Sequence, residues 1–145
     1  MKLVSEDGTA VDLWISGYQY PDITAGGWDG NWLLVSGLVQ REGAEWRFCD
    51  PCLTTWELQG LIEWLGTIGS GTPMQPLGFT EPNLSFTYEH QPQESICVRL
   101  SHEAVPPWAD LGRQVQLRCP LAQNDPGSLV ASLREGLGRY PTRSK

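Results

Sequence analysis

Residues 54–66 read Thr54-Thr55-Trp56-Glu57-Leu58-Gln59-Gly60-Leu61-Ile62-Glu63-Trp64-Leu65-Gly66. Thr54 and Glu57 stand at capping-box spacing, where the threonine hydroxyl accepts from the backbone of Glu57 and the carboxylate reaches back. Leu58, Leu61, Ile62 and Leu65 then recur at the 0, 3, 4, 7 spacing that gathers them on one helical face, and Gly66 or Gly69 can end the run. The spacing predicts a helix over about 54–66.

Working outward, the segments on either side change period. From Thr9 to Tyr20, Val11, Leu13 and Ile15 alternate with Asp12, Trp14 and Ser16, which predicts a strand with one buried face, ended by Pro21 and Asp22. Residues 21–31 (PDITAGGWDGN) are dense in turn formers and read as a long connecting loop. Trp32 to Gln40 and Glu45 to Phe48 read as a hairpin, with Gly43 available for a left-handed turn position.

Beyond the helix, residues 69–76 form another loop, and 84–90, 96–102 and 114–119 alternate as three further strands, the last two interrupted by Pro106-Pro107-Trp108. Asp125 before Pro126 opens a second helix over about 126–138, with Leu129, Val130, Leu133 and Leu137 on one face. Meander-like strand spacing with two isolated helices and no internal repeat predicts an α+β fold: a mostly antiparallel sheet carrying two helices, in a single domain spanning 1–145.

Composition narrows the functional classes. With 40% hydrophobic and 19% charged residues, the 145-residue chain is too apolar for a disordered tail and long enough to bury a core. Apolar runs such as Trp32 to Val35 fall far short of the ~20 residues of a membrane span. Met1 to Gly8 carries Glu6 and Asp7 and lacks the basic start and apolar stretch of a secretory signal, so a cytoplasmic location is expected. In that compartment Cys49, Cys52, Cys97 and Cys119 stay reduced and are expected to be mostly buried thiols.

The net charge of −7 is regional. Residues 1–98 hold thirteen acids against three basic residues, while residues 99–145 hold four acids against seven. The larger acidic part repels nucleic acid and attracts a basic protein, so direct nucleic-acid binding is not expected.

The sharpest chemical motif is Cys49-Asp50-Pro51-Cys52, whose spacing suits a strained disulfide or half of a zinc site. A redox role needs the first cysteine at a helix N-terminus, yet the capped helix starts after Cys52. Zinc needs two more ligands, and Cys97, Cys119, His90 and His102 are scattered singly. The competing account is a strand end turning through Asp50-Pro51 with buried thiols. His90 and His102 have no nearby nucleophile motif, and the acid pairs Asp22 with Asp29 and Glu57 with Glu63 read as solvated carboxylates. No glycine cluster has the form of a phosphate-cradling loop. Catalytic residues, a metal and a cofactor are therefore not expected.

Seven tryptophans remain to be accounted for. Trp32 and Trp46 in strands and Trp64 in the first helix read as packing residues. Trp28 and Trp108 lie in turn-rich segments close to Asp29 and Asp110, an arrangement that suits an interface anchor as well as a cap on the core. Asp22, Trp28, Asp29 and Trp108 are the candidate partner-binding residues, the acids for steering and the tryptophans for buried area. Two other readings stand beside this one: a thiol-redox or zinc-binding domain using Cys49 and Cys52, and a ligand-binding module using tryptophans on a concave sheet.

Several stretches occur together in order: Gly17-Tyr18-Gln19-Tyr20-Pro21-Asp22, Asp29-Gly30-Asn31-Trp32-Leu33, Asp50-Pro51-Cys52-Leu53-Thr54-Thr55-Trp56-Glu57-Leu58, Glu81-Pro82-Asn83-Leu84-Ser85-Phe86, Pro106-Pro107-Trp108-Ala109 and Ser132-Leu133-Arg134-Glu135. Over nearly the whole chain this series resembles the WapI-type immunity proteins. The resemblance implies a bacterial, non-enzymatic inhibitor of a cognate toxin from a polymorphic toxin system, often a nuclease. The chain departs from the family pattern at Cys49, which is less dependable there than Cys52, and in the basic run from Arg139 to Lys145.

Overall fold

The computed structural model describes residues 1–110 and 112–144; Lys145, the end of the basic run, lies outside them. Its seven strands divide between two antiparallel sheets where sequence spacing predicted one. The first runs β1 (Lys2–Val4), β2 (Ala10–Tyr18), β3 (Trp32–Arg41), β4 (Ala44–Thr54) in spatial order; the second runs β5 (Leu84–Glu89), β6 (Ser95–Leu100), β7 (Val115–Pro120). Three α-helices accompany them: α1 (Trp28–Asn31), α2 (Thr55–Gly66) and α3 (Pro126–Arg139). The fold is α+β.

Each long element forms for a local reason. In β2, Val11, Leu13 and Ile15 are buried while Trp14 and Ser16 are exposed, the alternation of a one-sided strand. β3 and β4 meet through a two-residue turn closed by the Arg41–Ala44 pair, with Gly43 at φ 75°, where a side chain would be strained. At the start of α2 both halves of the capping box are made: the Glu57 N–H donates to Thr54 Oγ1 at 3.2 Å, and the Thr54 N–H to Glu57 Oε2 at 2.8 Å. Asp125 caps α3 by accepting from the Ser128 N–H at 3.0 Å.

These elements share one continuous core. Leu58, Leu61, Ile62 and Leu65 of α2 and Leu129 and Leu133 of α3 join Leu33, Val39 and Leu53 of the first sheet and Phe86, Ile96, Val98 and Leu100 of the second. The sheets are also tied by hydrogen bonds, from the Glu6 N–H to the Arg118 carbonyl at 2.8 Å and from Trp46 Nε1 to the Ala104 carbonyl at 3.0 Å. α3 packs on α2 and on β2, with Gly136 against Ile15. The Tyr140 hydroxyl donates to the Ser16 carbonyl at 3.3 Å, beyond the stretch of β2 that β1 pairs.

The structure adds one strand that sequence reading did not predict and corrects three expectations. β1 is too short for period two to register in the sequence. β4 does not stop at Phe48 or turn at Asp50-Pro51; it continues to Thr54, with Cys52 as the extra residue of a bulge opposite Leu33 and Leu34. Pro51 is tolerated because β4 is the outermost strand of its sheet. β6 ends at Leu100, and His102 opens a short 3₁₀ turn at φ 52° rather than extending the strand. The 21–31 segment is not loop throughout, since it closes on α1.

Candidate protein-binding surface

The surface begins where β2 ends. Pro21 and Asp22 turn the chain away from the sheet, Gly27 adopts φ 108°, and α1 returns the backbone to β3. Gly30 lies so close to the Ala25 carbonyl oxygen that a Cβ there would sit at 2.2 Å, so a side chain would break the turn. Trp28, the first residue of α1, is left 61% exposed.

Trp28 does not stand alone. Its ring meets Trp56 edge to face, with centroids 5.6 Å apart and planes at 70°, and lies 6.5 Å from Trp32. Trp56 is 44% exposed, Tyr20 42% and Ile23 37%. Trp28 and Trp56 thus touch at the surface, and Tyr20 and Ile23 are exposed on the loop that carries Trp28; exposed apolar residues gathered in this way are the kind of surface that marks an interaction site. Asp22 and Asp29 are exposed in the same loop, and neither takes part in an ion pair among the described residues. Their charge is available to a partner.

Trp108 lies elsewhere. It is 63% exposed and packs edge to face on buried Trp46, with centroids 5.9 Å apart and the Arg41 guanidinium 5.3 Å from the Trp46 ring. Trp46 pairs with Val39, whereas Trp32 pairs with Thr54, seven positions away along β3. At the ~3.3 Å rise of a strand this separates the two aromatic sites by roughly 23 Å. The four candidate residues therefore occupy opposite ends of the β3–β4 hairpin: Asp22, Trp28 and Asp29 together, Trp108 apart.

Sequence reading missed Trp56 as a member of this surface, and the exposure of Tyr20 and Ile23 on the loop that carries Trp28. A signal was available for Trp56: it stands two residues before Leu58, about 200° around the helix from that inward-facing position. Nothing comparable marks Tyr20 or Ile23, whose exposure depends on how the loop folds.

The cysteine pair is taken apart by its strand. Cys49 is exposed, its Sγ 3.7 Å from Ser16 Oγ, while Cys52 is buried. Three residues of extended chain place their Cα atoms roughly 10 Å apart, beyond the ~7 Å limit for a disulfide. Burial, then the neighbouring Asp50 charge, pushes the Cys52 thiol up to about 12, and burial does the same to Cys119. Both remain protonated at neutral pH and are poor nucleophiles. Cys49 is more exposed than was expected of these thiols. A limiting thiol reagent at pH 7.5 is expected to label Cys49 first, with Cys52 and Cys119 reacting only on denaturation; mass spectrometry of the native protein checks this, and rapid labelling of Cys52 would contradict it.

Other candidate groups are occupied or isolated. Glu57 is held by its capping role and accepts from the Thr80 hydroxyl at 2.7 Å, and His90 lies 3.5 Å from Glu94 on the surface. The acids brought together are Asp50 and Glu103, and the Asn83 side-chain N–H₂ donates to both, at 3.1 and 2.9 Å. The amide fills the gap that a catalytic pair would need for substrate. Among the described residues no group of three or more His, Cys, Asp or Glu could hold a metal ion, and no helix is long and apolar enough to cross a membrane.

Exposed aromatic rings on a loop whose carboxylates form no ion pair among the described residues are the kind of surface that protein-binding modules present. Comparison with family models sharpens this: the immunity protein WapI-like family matches residues 2–141, and the chain belongs to that family. Membership carries an immunity-protein role, with a toxin as the partner, in a family that generally inhibits rather than catalyses. Comparisons with curated proteins and with solved structures give no match.

Proposed function

We propose that this protein captures a cognate polymorphic toxin in the cytoplasm of the producing cell and blocks it by surface contact, as a single domain with no cofactor. Trp28 and Trp56 supply the anchoring area, and Asp22 and Asp29 steer a basic partner, with a nuclease domain the best match to the acidic 1–98 region. The observation that carries this reading is the exposed Trp28–Trp56 contact on the loop that also exposes Asp22 and Asp29, neither of which forms an ion pair among the described residues. Trp108 is a second, separate contact for a toxin large enough to span the hairpin. Nucleic acid is not a direct partner, because a polyanion would meet the acidic face unfavourably.

The test pairs the purified protein with the toxin C-terminal domains encoded beside it, in a pull-down across a salt series and in a co-expression survival assay. Binding that weakens as salt rises, together with rescue of growth, is expected. Failure to bind or protect against every one of them would refute the reading.

A further inference from the structure

The segment that follows α3 runs back along the loop that carries Trp28, and the two are laced together. Asn31, fully buried, joins them: its Oδ1 accepts from the Arg143 N–H at 2.8 Å and from the Thr55 hydroxyl at 3.0 Å, and its Nδ2 donates to the Gly27 carbonyl at 2.8 Å and the Arg143 carbonyl at 3.0 Å. The Arg143 guanidinium lies 3.6 Å over the centre of the Tyr18 ring. It donates to the carbonyls of Tyr20 and Pro21 at 3.1 Å each and to that of Ile23. The Tyr18 hydroxyl closes the arrangement by donating to the Pro141 carbonyl.

Three carbonyls of one turn converge on a single cation, which suits the planar multi-donor fork of arginine and not the point charge of lysine. The loop has little else to hold it. Apart from α1, its own backbone contributes one hydrogen bond among the described residues, from the Ile23 N–H to the Tyr20 carbonyl at 3.2 Å. Without Arg143 the residues from 20 to 27 would sample many shapes, and the cost of ordering them would fall on partner binding.

We infer that Arg143 is a positioning residue for the docking surface: it holds the 20–31 loop in its binding-competent shape and so governs how fast a partner is captured. This rests on the reading of Trp28 and Trp56 as the docking surface. The kinetic signature follows from population arithmetic. If only a fraction of molecules holds the competent shape, the observed association rate falls by that fraction while the dissociation rate of the formed complex stays the same. Loss of a direct contact instead appears mainly in dissociation.

The experiment uses the full chain as Arg143→Ala and Arg143→Lys, read by hydrogen exchange of the free protein and by association and dissociation rates with a toxin domain the wild type binds. In Arg143→Ala, exchange across residues 20–31 is expected to accelerate at least tenfold while α2 and β6 keep wild-type protection; association falls roughly five- to tenfold and dissociation changes less than about twofold. Arg143→Lys keeps a charge near Tyr18 but loses the fork, and is expected to shift the same way. It carries the test if the alanine variant does not fold. Unchanged exchange across 20–31 in both variants would overturn the inference, as would an affinity loss residing wholly in dissociation. Should the wild type bind no toxin, the docking reading fails, while exchange in the free protein still decides whether Arg143 orders the loop.

Discussion

Replacing Trp28 and Trp56 together by alanine is expected to weaken toxin binding by about a thousandfold, some 4 kcal/mol, with the thermal midpoint moving by less than ~2 °C. Neither ring belongs to the buried core or packs against it, so their removal deprives the core of little. At position 56 alanine suits the first turn of α2, and the Thr54–Glu57 capping bonds do not involve the ring. On the bound side, a tryptophan pair offers a large rigid area whose desolvation costs little. Because the rings touch, the two single substitutions are expected not to add: removing either one leaves the other without its edge-to-face neighbour.

Titration calorimetry of the four proteins in that cycle makes the measurement, and Trp108→Ala is the informative fifth. A loss for Trp108→Ala comparable to that for Trp28→Ala would mean that the toxin reaches both ends of the β3–β4 hairpin; no loss would confine it to the Trp28 end. Wild-type affinity in the Trp28, Trp56 double variant would exclude the aromatic cluster as the anchor.

Asn31→Ala is expected to lower stability by about 3 kcal/mol, a fall in midpoint of roughly 10 °C. The side chain is fully buried and makes four hydrogen bonds, to Thr55, Gly27 and both backbone groups of Arg143. Its removal leaves two donors and two acceptors without partners in a space the size of an amide. Water entering from the loop side can satisfy some of them, which keeps the expected cost below the sum of four desolvation penalties. Chemical denaturation of the variant checks the magnitude. A midpoint within ~2 °C of wild type would show that water replaces the amide fully and that the lacing of residues 140–144 to the loop contributes little to the fold.

The two predictions differ in how visible their residues are in the sequence. Trp28 can be singled out because a tryptophan between glycines and an aspartate has no periodic face to belong to. Asn31 sits in a run of turn formers and looks like one more of them, since its role depends on an N–H and a carbonyl 112 positions away. Local composition alone groups Trp108 with Trp28. Only the hairpin register, with Trp32 opposite Thr54 and Val39 opposite Trp46, puts them at opposite ends.

The cysteine motif shows the same division. Its spacing admits a disulfide, a zinc half-site or plain burial equally well, because sequence spacing says nothing about whether the backbone between the thiols is turned or extended. β4 is extended there, paired to β3 through a bulge that sends Cys52 inward and leaves Cys49 outside.

What the sequence determined by itself were properties set within a few residues: the Thr54–Glu57 cap, the apolar faces of α2 and α3, the alternation of β2, the Gly43 turn and the α+β class that follows from them. Those depend on hydrogen bonds and side-chain directions that the local backbone dictates. The tertiary structure alone decided that the strands split into two sheets around one core, that β4 runs past Pro51, that Trp56 meets Trp28, and that Arg143 donates to the carbonyls of Tyr20, Pro21 and Ile23. Each of those depends on contacts between segments far apart in the chain, and such contacts leave no periodic trace at either end.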